Sequence, residues 1–444
     1  MAQTSGQNVL RAVEALRRAL EEVPAYRPWR RLDPGAALPV AQRYAALPAT
    51  GKKLLRENFP DGLLVAGRDL RHGLATGEVS LAHTSGTTQE RLTTVWDQAW
   101  WNASERLSWG WNTAAAAAGL GGHREALLAS PRSVGVPCAG GCLPMERRRE
   151  GRFLFLNEKL DPSAWTPQHV DRMIDELGVF RPVVLEANPS FLARLCRSAA
   201  DRGRSVPAPE LIVVTFEFTS RLHLGQIRRV FPHTPAFSSY GSTETGYVTV
   251  ECEHGSHHHN AGSCRIDFQP LRAEFGGRRT GRILVTPFGH RWMQVLRFDI
   301  GDVFRYEPAF RCPCGRNGGL VFRRLEGRVR DITFTPGGRA VTVDALDAAL
   351  AEVPGLFTYR LRQTAPAQYR LHAVPLRQGD ADVAPAAAAA LAAVYGPAAS
   401  VEVEVGPDLP PEPSGKYRLA GLAYGFDYGR LFDGDLPVGE GDDG

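Results

Sequence analysis

The spacing of apolar residues along the chain predicts alternating strands and helices. Val9, Val13 and Leu16 recur at helical spacing, which predicts an amphipathic helix over residues 7–22. Farther on, short apolar runs alternate with stretches of helical periodicity, a pattern typical of βαβ units around a parallel sheet with covered faces. The predicted strands lie at 126–128, 183–185 and 211–214, and the predicted helices at 166–178, 189–202 and 220–230.

The pattern changes after residue 280. The segments 282–285 and 293–298 are typical of paired strands in a barrel-like subdomain. A turn at Pro336-Gly337-Gly338 then precedes a smaller α+β unit. Its predicted elements are a helix at 342–352, strands near 357–362 and 369–374, an alanine-rich helix at 384–395 and a strand at 400–405. We therefore predict an α/β protein with a large N-terminal domain, 1–329, and a small C-terminal domain, 330–444.

Composition and charge narrow the class of protein. The 444 residues are 43% hydrophobic and 23% charged, which is ordinary for a globular protein with a sizeable core. The 52 basic and 48 acidic residues leave a net charge of +4, too balanced to predict nucleic acid or an anionic membrane as the main partner. No apolar run has the length of a membrane span, and the N-terminus lacks signal-peptide features, so we expect a cytoplasmic protein.

A turn of small hydroxylated residues is the first candidate for chemistry. It reads Thr84-Ser85-Gly86-Thr87-Thr88. The backbone N–H groups of such a turn can form a nest for phosphate oxygens, and a plain hairpin turn is the alternative interpretation. Far along the chain, Lys416 lies in a Pro-Ser-Gly-Lys loop that can bring one positive charge to a phosphate.

Three further clusters combine glycine with charged or aromatic side chains. In Tyr240-Gly241-Ser242-Thr243-Glu244 the ring can stack on a purine and the carboxylate can hold Mg²⁺. Asp302 follows a strand and a glycine, where a carboxylate can accept both hydroxyls of a ribose. Arg328 is available to a ribose or an α-phosphate. The alternatives are a capped polar loop, a strand-ending turn and a surface ion pair.

Taken in this order, the four clusters and Lys416 resemble the ANL superfamily of adenylate-forming enzymes, and more closely its phenylacetate-CoA ligase branch. The resemblance covers about residues 80–420. It implies a small, mobile C-terminal domain that rotates between two half-reactions. In the first, a carboxylate attacks the α-phosphate of ATP and gives acyl-AMP and pyrophosphate. In the second, a nucleophile, commonly the CoA thiol, displaces AMP.

The resemblance also implies roles for the matching residues. Residues 84–88 hold the β- and γ-phosphates, Glu244 holds Mg²⁺, Tyr240 flanks adenine, and Asp302 binds the ribose with Arg328 nearby. Lys416 bridges the carboxylate and the α-phosphate, and the hinge lies at Arg330 or Asp331. The predicted catalytic residues are Lys416 and Glu244. The predicted ATP-binding residues are Thr84, Ser85, Gly86, Thr87, Thr88, Glu217, Tyr240, Gly241, Ser242, Thr243, Asp302 and Arg328.

The sequence departs from the family pattern at three places. The family's Arg-Tyr/Phe-Arg-Thr-Gly-Asp reads Arg297-Phe298-Asp299-Ile300-Gly301-Asp302, which keeps the essential aspartate. After Thr88 the chain reads Gln89-Glu90-Arg91 in place of a glycine followed by lysine or proline, and Glu90 adds a negative charge near the predicted phosphate site. The family's Gly-Ala-Glu-Pro loop reads Thr215-Phe216-Glu217-Phe218, and its phenylalanines are expected to narrow or reshape the pocket. Because Lys416 is present, we interpret the chain as a divergent but active member.

The cysteines predict a metal site. Their number is seven, an odd count that does not predict a disulfide framework in the absence of a signal peptide. Cys252 opens a histidine-rich segment, and Cys312-Pro313-Cys314 follows later, so three cysteines and a histidine suit tetrahedral Zn²⁺. The alternative is an exposed histidine loop with buried cysteines.

The resemblance points to Cys252, His258, Cys312 and Cys314 as the ligands of a structural zinc. The fourth ligand stays open among the histidines of 254–259 and Cys264. A closed shell of this kind would hold the loop after Glu244 in place, since it has no open position at which to activate water.

The function predicted from all of this is ATP-dependent activation of a carboxylic acid, with CoA as the default acceptor. An amine or a carrier protein as acceptor is the alternative within enzymes, and a non-catalytic zinc-bearing binding protein is the alternative from another class. Aromatic residues near the predicted pocket favour an aryl or arylacetic acid, although they can equally pack in the core. They are Phe216, Phe218, Phe237 and Tyr240.

Overall fold

The computed structural model describes residues 5–84, 92–119, 122–136, 143–316, 318–377 and 382–435. Its helices are α1 Ser5–Glu22, α2 Val40–Ala45, α3 Lys52–Asn58, α4 Leu70–Thr76, α5 Gln98–Trp109, α6 Thr113–Ala118, α7 Pro131–Val134, α8 Pro167–Phe180, α9 Pro189–Asp201, α10 Arg221–Val230, α11 Val343–Leu350 and α12 Val383–Tyr395. Among the described residues, no helix combines the length and the apolar character that a membrane crossing requires.

The strands before residue 330 are β1 Ser80–His83, β2 Thr93–Trp96, β3 Glu125–Leu128, β4 Arg149–Glu150, β5 Phe153–Phe155, β6 Val184–Ala187, β7 Leu211–Val214, β8 Ala236–Ser242, β9 Gly246–Glu251, β10 His257–His259, β11 Cys264–Pro270, β12 Thr280–Pro287, β13 Phe298–Tyr306 and β14 Val321–Arg328. The later strands are β15 Thr333–Phe334, β16 Ala340–Val341, β17 Leu356–Ala365, β18 Gln368–Pro375, β19 Ser400–Val405 and β20 Ala420–Leu422.

A twelve-stranded sheet dominates the structure. Its order is β11-β12-β13-β14-β10-β9-β8-β7-β6-β3-β5-β4. The pairs β5-β3, β3-β6, β6-β7 and β7-β8 are parallel. The pairs β8-β9, β9-β10, β10-β14, β14-β13, β13-β12 and β12-β11 are antiparallel. All four residues of β7 are buried, which fits a parallel strand covered on both faces. The predicted βαβ units are thus confirmed.

The antiparallel half of the sheet corrects one boundary. The first predicted strand lies within β12, but β13 begins only at Phe298, where the second predicted strand ends. Residues such as Trp292, Met293 and Val295 are buried in a core with the N-terminal helices and do not form the predicted strand. An apolar run of this length suits a buried connection as well as a strand, so periodicity alone gave the wrong boundary.

The C-terminal residues form a separate four-stranded sheet of order β19-β18-β17-β20. The helices α11 and α12 pack on it around buried residues that include Leu346, Leu371 and Leu391. Each predicted element of this unit is present, and α12 matches the predicted alanine-rich helix closely. The α/β fold class is confirmed, while the division at residue 329/330 stays a prediction.

Polar contacts join this C-terminal unit to the large sheet. Asp347, which is fully buried, accepts hydrogen bonds from Ser220 Oγ at 2.5 Å and from the Arg221 backbone N–H at 2.8 Å. Arg194 on α9 forms an ion pair with Asp408, with Nη1 and Oδ2 2.8 Å apart. These contacts hold the C-terminal unit over α9 and α10, next to the carboxyl ends of the parallel strands.

Candidate active site

The loop that carries Lys416 is fixed against the large sheet on both sides of the lysine. Ser130 Oγ donates a hydrogen bond to the Ser414 carbonyl oxygen at 3.0 Å, and the Tyr417 backbone N–H donates to Glu217 Oε2 at 3.1 Å. Gly415 has φ +78°, and a Cβ atom there would lie 2.2 Å from Ser130 Oγ. Glycine is therefore required for this close approach.

Tyr240, Asp302 and Arg328 meet at the junction of the two halves of the sheet. Asp302 on β13 is the register partner of Arg328 on β14, and Arg328 Nε lies 3.5 Å from Asp302 Oδ1. The Tyr240 hydroxyl donates to Asp302 Oδ2 at 2.9 Å, and its ring packs edge-on against Phe304. The structure thus brings together three predicted site residues that are 88 positions apart at the extremes (328 minus 240).

Lys416 belongs to the same charged group. Burial lowers the pKa of Lys416 to about 8, and the Arg328 charge acts in the same direction, while Glu217 and Asp302 oppose the shift. Burial raises the pKa of Asp302 above its usual value, against the stabilising effects of Arg328, the Tyr240 hydroxyl and Lys416. Because these charges influence one another in a partly desolvated space, the lysine and the aspartate face one site.

Glu244 lies in the turn between β8 and β9 and is 7% exposed. Burial lowers the pKa of Arg328, but the charges of Asp302, Asp331, Tyr240 and Glu244 outweigh burial and raise it. The turn is braced by a hydrogen bond between Ser242 Oγ and Thr245 Oγ1 at 2.9 Å. The Glu244 charge thus acts on Arg328.

The rest of the predicted Tyr-Gly-Ser-Thr-Glu motif forms the backbone of that turn. A Cβ atom on Gly241 would lie 2.2 Å from the Gly246 carbonyl oxygen, so only glycine fits there. Thr243 is half-buried between Ser242 and Glu244. The assignment of these residues to ATP binding stays a prediction.

Thr84 closes the base of the predicted phosphate loop. Its backbone N–H donates to the Leu92 carbonyl oxygen at 2.9 Å, and the Leu92 N–H donates to Thr84 Oγ1 at 3.1 Å. The strands β1 and β2 continue this pairing as an antiparallel hairpin. Ser85, Gly86, Thr87 and Thr88 lie outside the described residues, so their part in phosphate binding stays a prediction.

Glu217 uses both carboxylate oxygens within the protein. Oε1 accepts hydrogen bonds from the Ser190 backbone N–H at 2.9 Å and from the Ser190 hydroxyl, and Oε2 accepts the bond from Tyr417. Burial raises the pKa of Glu217, and these hydrogen bonds oppose the rise. In this arrangement Glu217 fastens the lysine loop, and a contact with ATP stays a prediction.

The aromatic residues predicted to line the pocket lie in different parts of the structure. Phe237 is buried in the core under α5, and Phe218 packs against the core of the C-terminal unit. Phe216 adopts φ +72°, an uncommon conformation for a bulky residue, in the turn that precedes Glu217. Two of the four aromatic side chains thus support the fold and not a pocket.

Lys52 is a site residue that the sequence analysis missed. Burial and the Arg328 charge lower the pKa of Lys52, and the charges of Glu244 and Asp302 oppose the shift, so its ammonium interacts with that charged group. Lys52 and Lys53 are the first two residues of α3, the end at which the helix dipole disfavours cations. A lysine at this unfavourable end of a helix is the sequence signal that could have indicated a functional role for Lys52.

A second cluster fits a metal ion. Ligand atoms of Cys252, His258, Cys312 and Cys314 all lie within 4.8 Å of one another. Cys252 Sγ is 3.5 Å from Cys312 Sγ, and Cys314 Sγ is 3.3 Å from His258 Nε2, separations that are too long for covalent bonds and suit a shared tetrahedral ion. The donor set of three thiols and an imidazole is the one that structural Zn²⁺ prefers.

The other candidate ligands point elsewhere. His259 Nε2 bonds to the Cys264 carbonyl oxygen at 2.9 Å, and the Cys264 thiol lies 3.9 Å from the Asn260 carbonyl oxygen.

The cluster of Cys252, His258, Cys312 and Cys314 lies beyond the end of β9. The six residues of β9 separate it from Glu244 by roughly 20 Å at about 3.3 Å per residue. A metal held there would brace the far end of β9 and would not contact the charged group around Lys416.

Comparison with solved structures identifies the fold. Crystal structures of 2-hydroxyisobutyryl-CoA ligase in the postadenylation state, bound to an acyl-AMP, match with a TM-score of 0.68 and 17% identity over 94% of this chain and 90% of the ligase. This chain has the adenylate-forming fold. An anthranilate CoA ligase bound to anthranoyl-AMP matches with a TM-score of 0.51 and 11% identity, over 77% of this chain and 66% of that ligase. No protein-family model matches the sequence, and no curated protein matches it.

Within the adenylate-forming fold, the two parts of the chain have a defined arrangement. The same 2-hydroxyisobutyryl-CoA ligase, when bound to acyl-AMP and CoA in its thioesterification state, matches with a TM-score of only 0.54 at 17% identity, over 94% of this chain and 90% of the ligase. The postadenylation structure is therefore more similar to this chain over its whole length than the thioesterification structure is.

Proposed function

We propose that this protein activates a carboxylic acid with ATP to form an acyl-adenylate and then transfers the acyl group to CoA. The observation that carries the proposal is the docking of the Lys416 loop on Ser130 and Glu217 of the large sheet, where the charges of Arg328 and Asp302 act on the Lys416 ammonium. Similarity to CoA ligases that were crystallised with acyl-AMP supports the same reaction class.

In the first half-reaction, a carboxylate oxygen of the acid forms a bond to the α-phosphorus, and the bond from that phosphorus to pyrophosphate breaks. Little covalent help from the protein is needed, but alignment and countercharge are. Lys416 and Arg328 supply positive charge to the reacting phosphate and carboxylate, and Asp302 accepts the ribose hydroxyls. Glu244 is placed to hold Mg²⁺, which would neutralise phosphate charge when bound.

In the second half-reaction, the CoA sulfur forms a bond to the acyl carbon, AMP leaves with the bonding electrons, and the thiol proton passes to solvent. Lys416 has no task in this step, so the C-terminal unit is free to withdraw it. The contacts of Glu217, Ser130 and Ser220 with that unit would then have to break. Each is a hydrogen bond worth about 1–3 kcal/mol net, which permits a reversible movement.

The finer proposals concern the branch, the metal and the substrate. The cysteine and histidine cluster supports a phenylacetate-CoA ligase-like protein with a structural zinc bound by Cys252, His258, Cys312 and Cys314. An aryl or arylacetic acid is supported by the rings of Trp101 and Tyr247, whose centroids are 4.9 Å apart beside the motif that contains Glu244.

The test is pyrophosphate–ATP exchange across a panel of aliphatic, aryl, arylacetic and amino acids, with the purified full-length protein and Mg²⁺. We expect at least one acid to stimulate exchange, and CoA to convert it to a thioester. If an amine or a carrier protein, and not CoA, accepts the activated acyl group, the acceptor belongs to that class. Binding of ATP without exchange for any acid would reject the ligase activity.

A further inference from the structure

Three glutamates face the space between α5 and the parallel sheet. Glu105 lies on α5, Glu125 on β3 and Glu186 on β6, and Glu105 and Glu125 are 8% and 3% exposed. Glu186 interrupts an otherwise apolar strand in the middle of the sheet. A buried carboxylate without a compensating charge is costly, so three in one place call for a physical explanation.

Cations of the protein account for only one of the three. Arg152 Nη1 lies 3.1 Å from Glu125 Oε2, and His123 Nε2 lies 3.3 Å from the same oxygen. Among the described residues, neither Glu105 nor Glu186 has a cation within ion-pair distance. Glu105 Oε1 instead accepts a hydrogen bond from the Tyr247 hydroxyl at 3.0 Å. Burial, with the charges of Glu125 and Glu105 nearby, raises the pKa of Glu186 well above its ordinary value.

The three carboxylates do not form a metal site. Within the described ranges, the only group of three or more such donors that converges on one point is the one at Cys252. Glu186 pairs with Leu127 and Glu125 pairs with Val184 in the β3–β6 register, so the two glutamates are diagonal neighbours on one face. The Glu186 and Glu125 side chains share a hydrogen bond, and the charge of Glu105 acts on Glu186, so the three side chains form one group.

An unpartnered hydroxyl faces the same space. Ser239 is 5% exposed, and its Oγ has no hydrogen-bond partner. Two residues earlier on β8, Phe237 packs with Trp109 and Val213 on the α5 side of the sheet. Because side chains alternate along a strand, Ser239 points to that side too. A polar group that is buried and unsatisfied in a native protein calls for an explanation, and a bound ligand or water supplies one.

The space is reachable and lined with aromatic rings. Glu186, Trp101 and Tyr247 are partly exposed although they lie between a helix and the sheet, which requires an opening there. The rings of Trp101 and Tyr247 are 4.9 Å apart, and that of Trp96 is 4.5 Å from Trp101. Carboxylates beside aromatic faces are the surroundings that favour an organic ammonium. Tyr247 and Glu186 also lie near the carboxyl ends of the strands, where α/β sheets bind ligands.

We infer that this opening, called here the glutamate cleft and formed by Glu105, Glu186, Ser239, Trp101 and Tyr247, binds the distal end of the acid substrate, and that this end carries a protonated amine. The inference rests on the proposed function, because it takes the carboxylate end of the substrate to lie at Lys416. An ammonium would donate hydrogen bonds to Glu105, Glu186 and Ser239 and would meet the two aromatic faces. A neutral substrate would leave Glu105 and Glu186 without a countercharge.

The test is titration calorimetry with matched pairs of acids that differ only in the amine. The pairs are 4-(aminomethyl)benzoate with 4-(hydroxymethyl)benzoate, and 6-aminohexanoate with hexanoate, each with and without a non-hydrolysable ATP analogue. We expect an amine-bearing member to bind at least tenfold more tightly than its partner. Glu186→Gln should remove this preference, and Glu150→Gln, an exposed glutamate on β4, should keep it.

A second measurement covers the case in which Glu186→Gln does not fold. With the wild-type protein, the amine should displace a proton from the glutamates, so the binding enthalpy should differ between phosphate and Tris buffers. Equal or tighter binding of the neutral members, or no binding of any amine, would overturn the inference. If only neutral acids support exchange, the ligase function stands and the amine site is refuted. If amines bind but no acid supports exchange, the amine site stands and the ligase function is refuted.

Discussion

Glu217 accepts a hydrogen bond from the backbone N–H of Tyr417 at 3.1 Å, and this bond ties the loop after β7 to the loop that carries Lys416. The same carboxylate holds Ser190 at the N-terminus of α9. One half-buried side chain therefore connects the parallel sheet to the C-terminal unit, next to the lysine that the proposed first half-reaction requires.

Replacing Glu217 should impair the first half-reaction selectively. Glu217→Ala leaves the Tyr417 N–H without its partner, at a cost of about 1–3 kcal/mol, so we expect pyrophosphate exchange to fall about tenfold or more. Thioester formation from presynthesised acyl-AMP should be nearly unchanged, since it does not need this docking. Glu402→Ala, at a largely exposed position on β19, is the control. Equal loss of both activities would contradict the docking role.

Lys416→Ala should lower exchange by about a hundredfold or more, because it removes a preorganised charge from the reacting phosphate. Lys53→Ala removes a lysine whose side chain is 81% exposed and should have little effect. Exchange and thioester formation are measured separately for both variants. Full exchange activity in Lys416→Ala would refute the assignment of the catalytic lysine.

The same lysine predicts a pH dependence. Burial and Arg328 lower the pKa of Lys416 to about 8, so its ammonium is present below that pH and is lost as the pH rises through it. We expect kcat/KM for exchange to decline above about pH 8, since this parameter reports the free enzyme. In Lys416→Arg any remaining activity should lack this decline, because a guanidinium stays charged. If the decline persists in the arginine variant, a titratable group other than Lys416 causes it.

Lys52 should contribute to nucleotide binding. Its ammonium faces the same group of charges as Asp302 and Glu244, so Lys52→Met should raise the KM for ATP by about tenfold, the loss of one favourable charge contact of about 1.4 kcal/mol. The adjacent Lys53→Met is a matched control on the same helix. Unchanged ATP dependence in Lys52→Met, with normal stability, would show that the lysine serves the fold alone.

The cysteine cluster should hold one zinc ion per chain in protein that is purified without chelator. Cys312→Ser should lower the zinc content and the melting temperature, because metal binding contributes to folding stability. Cys264→Ser should retain the metal, since that thiol lies outside the cluster. Elemental analysis and thermal unfolding provide the two readouts. A zinc content near zero in the wild-type protein would remove the metal from the proposal.

The sequence was a good guide wherever one periodicity held over a whole element. The run Leu211 to Val214 predicted β7 because a doubly covered strand needs apolar residues at every position. It was a poor guide at 293–298, where the apolar run is buried against N-terminal helices that lie far away in sequence. The aromatic positions behaved likewise, since Phe218 and Phe237 pack in two different cores.

By itself, the sequence determined the types of chemistry available, because a motif such as Tyr240 to Glu244 fixes which groups stand side by side on one strand and its turn. It also predicted three cysteines and a histidine as metal donors, although it left the choice of histidine among 254–259 open. Only the tertiary structure decided that Tyr240 and Arg328 both contact Asp302 and that Glu217 contacts the loop of Lys416. Such contacts between residues far apart in sequence depend on strand order and on the docking of the C-terminal unit. Both are set by packing between elements, which a local sequence pattern does not predict.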